Sequence, residues 1–315
     1  MQAFSHLVAL TAPLFALVAL GYALAGWGRW PPAVGDALTR FVFAVAVPVL
    51  LFRLMSGFSS LPPVDVRLLA AYFGGCAIGF VVARLAGRLG FGMDGAAQTI
   101  FALGAIFSNN VLLGIPLAKL TLGDAAIPAF SMVLVFNALL LWTLCTASVE
   151  WARNGSPSLA GIGQTLRDVL ANPIVAAILA GTAWSYTGVS LPGLVEQTMD
   201  MVGQAAVPLS LIALGMGLAE YGVRSGWRES LAITGLKLVV QPLTVFGLAR
   251  ALDLPARETQ AIVLMAALPV GANVYLMSRQ FDTLGGPVAA SLVLSTALAA
   301  ATTPLALALV GAGTP

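Results

Sequence analysis

The sequence predicts an all-α polytopic membrane protein whose ten transmembrane helices form two inverted repeats of five. Hydrophobic residues make up 59% of the 315 residues and charged residues only 9%, with a mean hydropathy of +0.95, which is too apolar for a soluble domain. Apolar segments of membrane-spanning length recur along the whole chain. The two halves also share a pattern of proline and glycine at a fixed spacing.

The predicted spans are separated by charged residues and by clusters of glycine and proline. A helix needs about 20 residues to cross a hydrocarbon core of about 30 Å. The approximate limits are 4–26, 34–56, 65–88, 95–121, 124–149, 166–187, 193–219, 227–250, 257–280 and 285–310. The first span lacks a basic leader and is too long for a signal-peptide core, so we expect it to remain. The longest polar connection divides the chain into three parts, namely a first repeat (1–150), a short cytoplasmic linker (151–165) and a second repeat (166–315).

Residues 160 positions apart match between the halves. The coincidences are Pro13 with Pro173, Gly21 with Gly181, Pro32 with Pro192, Ala46-Val47-Pro48 with Ala206-Val207-Pro208, and Gly57 with Gly217. One offset should align about half a proline pair by chance, and this one aligns three. Because five spans is an odd number, the second half must cross the membrane upside down relative to the first. Inverted repeats with broken helices are typical of secondary transporters.

Two segments interrupt apolar spans in the same way, at residues 108–116 in span 4 and 269–275 in span 9. Each combines amide side chains with glycine and proline, and the repeat aligns Asn110 with Asn273 after a drift of three residues. An unpaired N–H or C=O in hydrocarbon costs several kcal/mol, so a broken helix persists only inside protein or beside a watery cavity. These segments are therefore the candidate site of function.

The chemistry of the two segments favours an anion. A helix that starts in mid-membrane exposes free N–H groups and about half a positive charge. Asparagine amides add donors without a buried charge, and glycine and proline allow the backbone to unwind. The alternative is that the amides only bond between packed helices. The candidate substrate-binding residues are Ser108, Asn109, Asn110, Gly114, Pro116, Pro269, Gly271, Asn273 and Tyr275.

Other intramembrane residues have two interpretations each. Asn137 and Gln204 either face the same cavity or bond between helices, and Pro48 and Pro208 either border the site or kink their helices. Lys119 is either a helix-end anchor or a coupling residue. Lys237, near the middle of span 8, requires an interior partner, and is either bonded to a carbonyl or acid or directly involved in coupling.

The composition argues against several classes of function. The net charge of +2 gives no reason to expect nucleic acid, and the lipid bilayer is the expected surrounding. Cys76 and Cys145 lie in apolar runs without metal-like spacing, so we expect packing roles, no metal and no cofactor. The only histidine is His6, and no acidic pair lies within a span, which disfavours an enzyme.

Basic residues in the loops predict the orientation. Eight lie on one side, against five on the other that include Arg53, Arg67 and Lys119. Because the side richer in Lys and Arg faces the cytoplasm, both termini are expected outside the cell inner (plasma) membrane.

The sequence resembles the auxin efflux carrier family, which includes plant PIN-FORMED exporters and bacterial malonate-type permeases. The resemblance rests on residues 109–123, 41–48, 208–216, 237–242 and 267–273, and covers essentially the whole chain. It implies a fold similar to the bile-acid sodium symporters and sodium/proton antiporters, in which helices 4 and 9 cross. It also implies a scaffold domain (spans 1, 2, 6 and 7), a transport domain (spans 3–5 and 8–10), organic-anion binding at the crossing, and a homodimer.

Two departures from the plant members argue against auxin as substrate. The chain lacks a long loop between spans 5 and 6, and it has Val274 where plant members tend to have a proline. We therefore expect a secondary active transporter of malonate-like mono- or dicarboxylates that works by alternating access. A channel-like facilitator and a membrane sensor of carboxylates remain alternatives. The absence of a buried carboxylate near the crossing favours proton coupling or uniport, although main-chain oxygens alone can bind Na⁺.

Overall fold

The computed structural model describes residues 2–27, 30–60, 64–154, 167, 171, 173–220 and 226–311. Over these residues the chain is helical, and no strand is formed apart from one isolated bridge. The helices are α1 (Gln2–Gly26), α2 (Pro32–Met55), α3 (Arg67–Phe91), α4a (Gly95–Ile106), α4b (Asn110–Leu122), α5 (Ile127–Asn154), α6 (Pro173–Ser185), α7 (Gly193–Ala219), α8 (Trp227–Ala251), α9a (Ala256–Ala267), α9b (Ala272–Gln280) and α10 (Gly285–Leu309).

The predicted all-helical membrane class is confirmed. Six helices in the described ranges are long and apolar enough to cross a bilayer: Leu7–Gly26 within α1, and α2, α3, α7, α8 and α10. Shorter apolar helical segments are Gly95–Ile106, Asn110–Leu122, Asp124–Asn137 and Pro173–Ser185. Of the predicted linker, residues 151–154 extend α5, and 155–165 lie outside the described residues.

Helices 4 and 9 are interrupted where the sequence predicts, but over fewer residues. The non-helical backbone covers only 107–109 between α4a and α4b, and 268–271 between α9a and α9b. The segment from Asn110 to Pro116 is helical, and Asn273 and Tyr275 lie in the first turn of α9b. The amide side chains of Asn110 and Asn273 therefore stand at the starts of helices, whereas Asn109 lies in the non-helical stretch.

Three helices contain a wide π turn directly before a proline. In each, the residue preceding the proline donates its N–H five residues back, as Gln241 does to the oxygen of Leu236. Proline has no N–H and its ring collides with the carbonyl four residues before it, so a wider turn makes room. The π turns are Val42–Ala46 before Pro48, Asn110–Gly114 before Pro116, and Leu236–Val240 before Pro242.

The helices pack in two groups, which contact each other where α1 meets α10 and α4b and where α7 meets α4b. In one, α1 packs along α7, and α2 packs on α6 and α7. In the other, α4a packs on α3 and α5, α8 packs on α3 and α9a, and α10 packs on α8 and α9a. Residues 99–110 and 261–271 are buried throughout, so both interruptions lie in the protein interior.

Candidate functional site

The two interruptions meet and pair through their main chains. Ser108 and Val270 form an isolated antiparallel bridge. The N–H of Asn109 donates to the oxygen of Pro269 at 2.9 Å, and the N–H of Gly271 donates to the oxygen of Phe107 at 2.9 Å. Four backbone groups that the breaks expose are thereby satisfied without water.

Two glycines make this close approach possible. A Cβ on Gly271 would stand 2.8 Å from the oxygen of Ser108, and one on Gly114 would stand 2.6 Å from Cδ1 of Leu268 and 2.8 Å from the ring of Phe130. The expectation that Gly114 and Pro116 unwind the backbone is wrong, because both lie in helical turns. Gly114 matters through the space it leaves for the neighbouring break.

Helix α8 supplies partners for the last carbonyl groups of α4a and α9a. The Gln241 side chain donates from Nε2 to the oxygen of Ile106 at 2.7 Å, and Lys237 donates from Nζ to the oxygen of Ala266 at 2.6 Å. Both side chains are fully buried. The carbonyl-bonded interpretation of Lys237 therefore describes its geometry here.

Side chains of helix α10 form two further hydrogen bonds with the backbone of the second break. Thr303 donates from Oγ1 to the oxygen of Ala267 at 3.0 Å, and Oγ of Ser295 accepts the N–H of Val270 at 3.0 Å. Thr303 and Ser295 lie eight residues apart on α10 and are fully buried. The conformation of the break is thus fixed by side chains from both α8 and α10.

Three buried side chains at the first break have polar atoms without a partner among the described residues. Ser108, Asn109 and Asn110 are only 2%, 5% and 3% exposed, yet Oγ of Ser108, Nδ2 of Asn109 and both amide atoms of Asn110 form no hydrogen bond. Leaving a buried polar group unpaired costs about 1–3 kcal/mol. Such a cluster, with its donors intact, is suited to a polar or anionic ligand.

Tyr72 and Asn137 extend the cluster. The Tyr72 hydroxyl donates to Oδ1 of Asn137 at 3.4 Å, and the side chains of Ser108 and Asn110 lie beside it without reaching hydrogen-bond geometry. Both Tyr72 and Asn137 are buried. These five side chains carry hydroxyl and amide groups and no carboxylate, so an anion here meets donors without a repelling charge.

The second break contributes fewer polar groups. Pro269 is buried within the bridge, and Asn273 and Tyr275 are half-buried on the first turn of α9b. The structure brings Ser108, Asn109, Pro269 and Gly271 together directly.

Lys119 and Gln204 lie in a separate cavity of about 300 Å³ between α2, α4b and α7. Its wall also contains Arg53, which forms ion pairs with Glu196 and, through Nε at 3.1 Å, with Asp200. Lys119 is nine residues beyond Asn110, so it stands about 13 Å farther along the helix.

Neither helix-kink proline belongs to the polar cluster. Pro48 is buried in α2 directly after its π turn, and Pro208 is half-buried inside α7. The cavity wall includes Leu50 and Gly203, two and five residues from these prolines.

The sequence reasoning did not identify Tyr72, Gln241, Ser295 and Thr303. Gln241 had a usable signal, since it follows Lys237 by four residues in an apolar helix and so lies near the same face. Ser295 and Thr303 are single hydroxyl groups in apolar segments, where a bond to the residue's own helix is the common outcome. Tyr72 is a single aromatic residue in an apolar segment, for which core packing is the common outcome. Only the packing of α3 and α10 against the breaks gives them a role.

Known proteins resemble this chain over nearly its full length. Residues 6–307 match the family described as "Membrane transport protein". The "Putative malonate transporter" of Rhizobium meliloti (strain 1021) is 27% identical, over 98% of this chain and 97% of its own. "Auxin efflux carrier component 8" of Arabidopsis thaliana is 19% identical, over 88% and 90%. An "Uncharacterized transporter" of Methanothermobacter thermautotrophicus is 23% identical, over 92% and 93%.

Proposed function

Because the chain belongs to the auxin efflux carrier family of membrane transport proteins, we propose that it is a secondary active transporter of small organic anions, namely malonate-like mono- or dicarboxylates. The observation that carries this proposal is the buried, unpartnered cluster of Ser108, Asn109 and Asn110 at the paired helix breaks. The relative described as a malonate transporter supports the carboxylate class. The work of the protein is then binding and translocation, without catalysis.

A carboxylate fits the cluster in charge and in hydrogen bonding. Each carboxylate oxygen accepts more than one hydrogen bond, and the amides of Asn109 and Asn110 and the Ser108 hydroxyl can supply them. The start of the helical segment that begins at Asn110 adds positive potential. Asn273 is the corresponding donor at the start of α9b. Pro48, Pro208, Gln204 and Tyr275 would border the route to this site.

The proposed architecture has ten spans in two inverted five-helix repeats, with helices 4 and 9 crossing at the bridge. Its support lies in helix bounds that follow the ten predicted segments and in the pairing of the two breaks. The two packing groups support a scaffold of spans 1, 2, 6 and 7 and a transport domain of spans 3–5 and 8–10. The proposed fold is that of the bile-acid symporters and sodium/proton antiporters.

Alternating access would expose the cluster to each side in turn. The cavity that holds Lys119 lies between α4b and the helices α2 and α7, where a movement of α4b against those two helices would open or close it. We propose proton coupling or uniport, with Lys119 and Lys237 as coupling candidates and Na⁺ as the competing ion. We propose a homodimer, which the family resemblance supports, in the inner membrane, with both termini outside, which the distribution of basic residues in the loops supports.

The proposal is tested by malonate counterflow in proteoliposomes. We expect saturable uptake that malonate on the opposite side accelerates, and loss of uptake in Asn110→Ala and Asn273→Ala. Gln197→Ala, which removes an exposed amide from α7, is the matched control and should transport normally. Normal transport by a folded Asn110→Ala/Asn273→Ala protein would contradict the site.

The same assay separates the alternative functions. A channel-like facilitator gives flux that neither saturates nor responds to counter-substrate. A sensor gives binding, seen as a thermal shift, without flux. Repeating the uptake with and without Na⁺ at two pH values distinguishes proton coupling, Na⁺ coupling and uniport.

A further inference from the structure

The carbonyl ends of α4a and α9a point into the protein at the place where both helices stop. A helix leaves its last carbonyl oxygens without partners inside the helix, so at a buried helix end they need other groups of the protein. Ile106 and Ala266 carry two of these oxygens, and both residues are fully buried. Any group that bonds to these two oxygens therefore influences where the breaks sit.

One helix bonds to both ends. On α8, the Gln241 amide holds the oxygen of Ile106, and the Lys237 ammonium holds that of Ala266. The two side chains leave α8 at the π turn before Pro242. The first break and the second break are thereby attached to the same rigid turn, four residues apart.

We propose that Gln241 and Lys237 are positioning residues that hold the two breaks in register, so that the bridge between Ser108 and Val270 forms and the asparagine cluster is assembled for its ligand. This inference rests on the proposed function. It assigns Lys237 to the support of the site and not to direct contact with the substrate.

The hydrogen bonds of Gln241 show which atom of its side-chain amide holds the first break. Its Nε2 is engaged with Ile106 and with Sγ of Cys76 at 3.5 Å, whereas its Oε1 has no partner. The donor is therefore the functional end. Methionine, which has similar length and no donor, removes this interaction with little change in volume.

The test compares affinity with stability in the full-length protein. We expect Gln241→Met and Lys237→Met to raise the Kd for malonate at least tenfold, measured by titration calorimetry on the folded fraction. A residue that only stabilises the fold would lower the melting temperature and leave that Kd unchanged. Lys237→Arg, which keeps a charged donor, should recover most of the affinity.

Two threonine substitutions on α10 repeat the test with a smaller expected effect on the Kd. Thr303→Val removes a bond to the oxygen of Ala267 at the break, whereas Thr296→Val removes a bond of Thr296 to the oxygen of Leu292 within its own helix. Both threonines are buried. We expect a severalfold higher Kd for Thr303→Val and no change for Thr296→Val.

A double variant links the positioning pair to the ligand site. If Gln241 acts by placing Asn110, then Gln241→Met should change the Kd less than threefold once Asn110 is alanine. Malonate affinity equal to wild type in Gln241→Met, Lys237→Met and Thr303→Val would overturn the inference while leaving the proposed function intact. A wild-type protein that binds neither malonate nor a panel of other carboxylates would overturn both.

Discussion

Gly21 of α1 packs directly on the main-chain oxygen of Ile212 in α7, where a Cβ would stand only 2.2 Å from that oxygen. Gly181 of α6 has the same relationship to Phe52 of α2, with a Cβ 2.7 Å from the oxygen. Gly181 follows Gly21 by 160 residues, and Ile212 follows Phe52 by the same 160. The offset that aligns prolines in the sequence thus also aligns two helix contacts, which supports the inverted repeat.

Gly21→Ala should destabilise the protein even though alanine favours a helix. The new methyl group collides with backbone that cannot rotate away, and such overpacking costs about 1–3 kcal/mol. Thermal unfolding in detergent measures the effect. Gly26→Ala, near the end of the same helix with nothing within 4 Å of its Cβ position, is the control and should keep the wild-type melting temperature or exceed it. Equal melting temperatures for the two variants would contradict the close packing.

Asn110→Leu should raise the melting temperature of the ligand-free protein and abolish binding. Both amide atoms of Asn110 are buried without partners, so replacement by a similar apolar group removes a penalty of about 1–3 kcal/mol. The measurement is a thermal melt with and without malonate. Wild type should show a shift on adding malonate, and the variant should show none. A less stable variant that still responds to malonate would contradict this account of the cluster.

Gly271→Ala should weaken malonate binding by separating the two breaks. Its methyl group would meet the oxygen of Ser108 at 2.8 Å, across the bridge that positions Asn109. We expect at least a tenfold increase in Kd by calorimetry. Gly247→Ala is the comparison, because that glycine of α8 has nothing within 4 Å of its Cβ position. Similar affinities for both variants would show that the bridge tolerates separation.

Lys119→Gln should change the malonate Kd less than threefold. Its distance of about 13 Å along the helix from Asn110 excludes a shared contact with one small carboxylate at the break. Asn110→Ala, measured beside it, should change the Kd at least tenfold. A comparable loss of affinity in both variants would indicate that the ligand sits in the cavity with Lys119 and not at the break.

The helical class and the positions of the breaks were predictable because both depend on local composition. Hydropathy over about 20 residues reports membrane burial directly, and Asn, Gly and Pro in an apolar segment signal a helix end. The extent of the first break was not predictable. The π turn that keeps Asn110–Gly114 helical depends on how the segment fits beside Pro116, which composition does not report.

The side chains that bond to the two breaks could not be predicted from the sequence either. Tyr72, Ser295 and Thr303 bond to groups that are distant in the sequence. In the sequence, Ser295 and Thr303 are indistinguishable from hydroxyl residues bonded to their own helix, and Tyr72 from an aromatic residue packed in the core. Lys237 was recognisable as unusual because a buried ammonium is costly. Its actual partner is the main-chain oxygen of Ala266. Every residue has such an oxygen, so the sequence could not identify this one as the partner.

The bridge between the two breaks is made of main-chain atoms alone. Side chains at Asn109 and Asn110 can therefore be exchanged without changing which backbone groups pair, provided that glycine remains at Gly271. The side chains that select the ligand can then change in evolution while the backbone bridge that supports them stays the same. A carrier built in this way can acquire a new cargo by a few side-chain substitutions while its helices, their register and their movement are inherited unchanged.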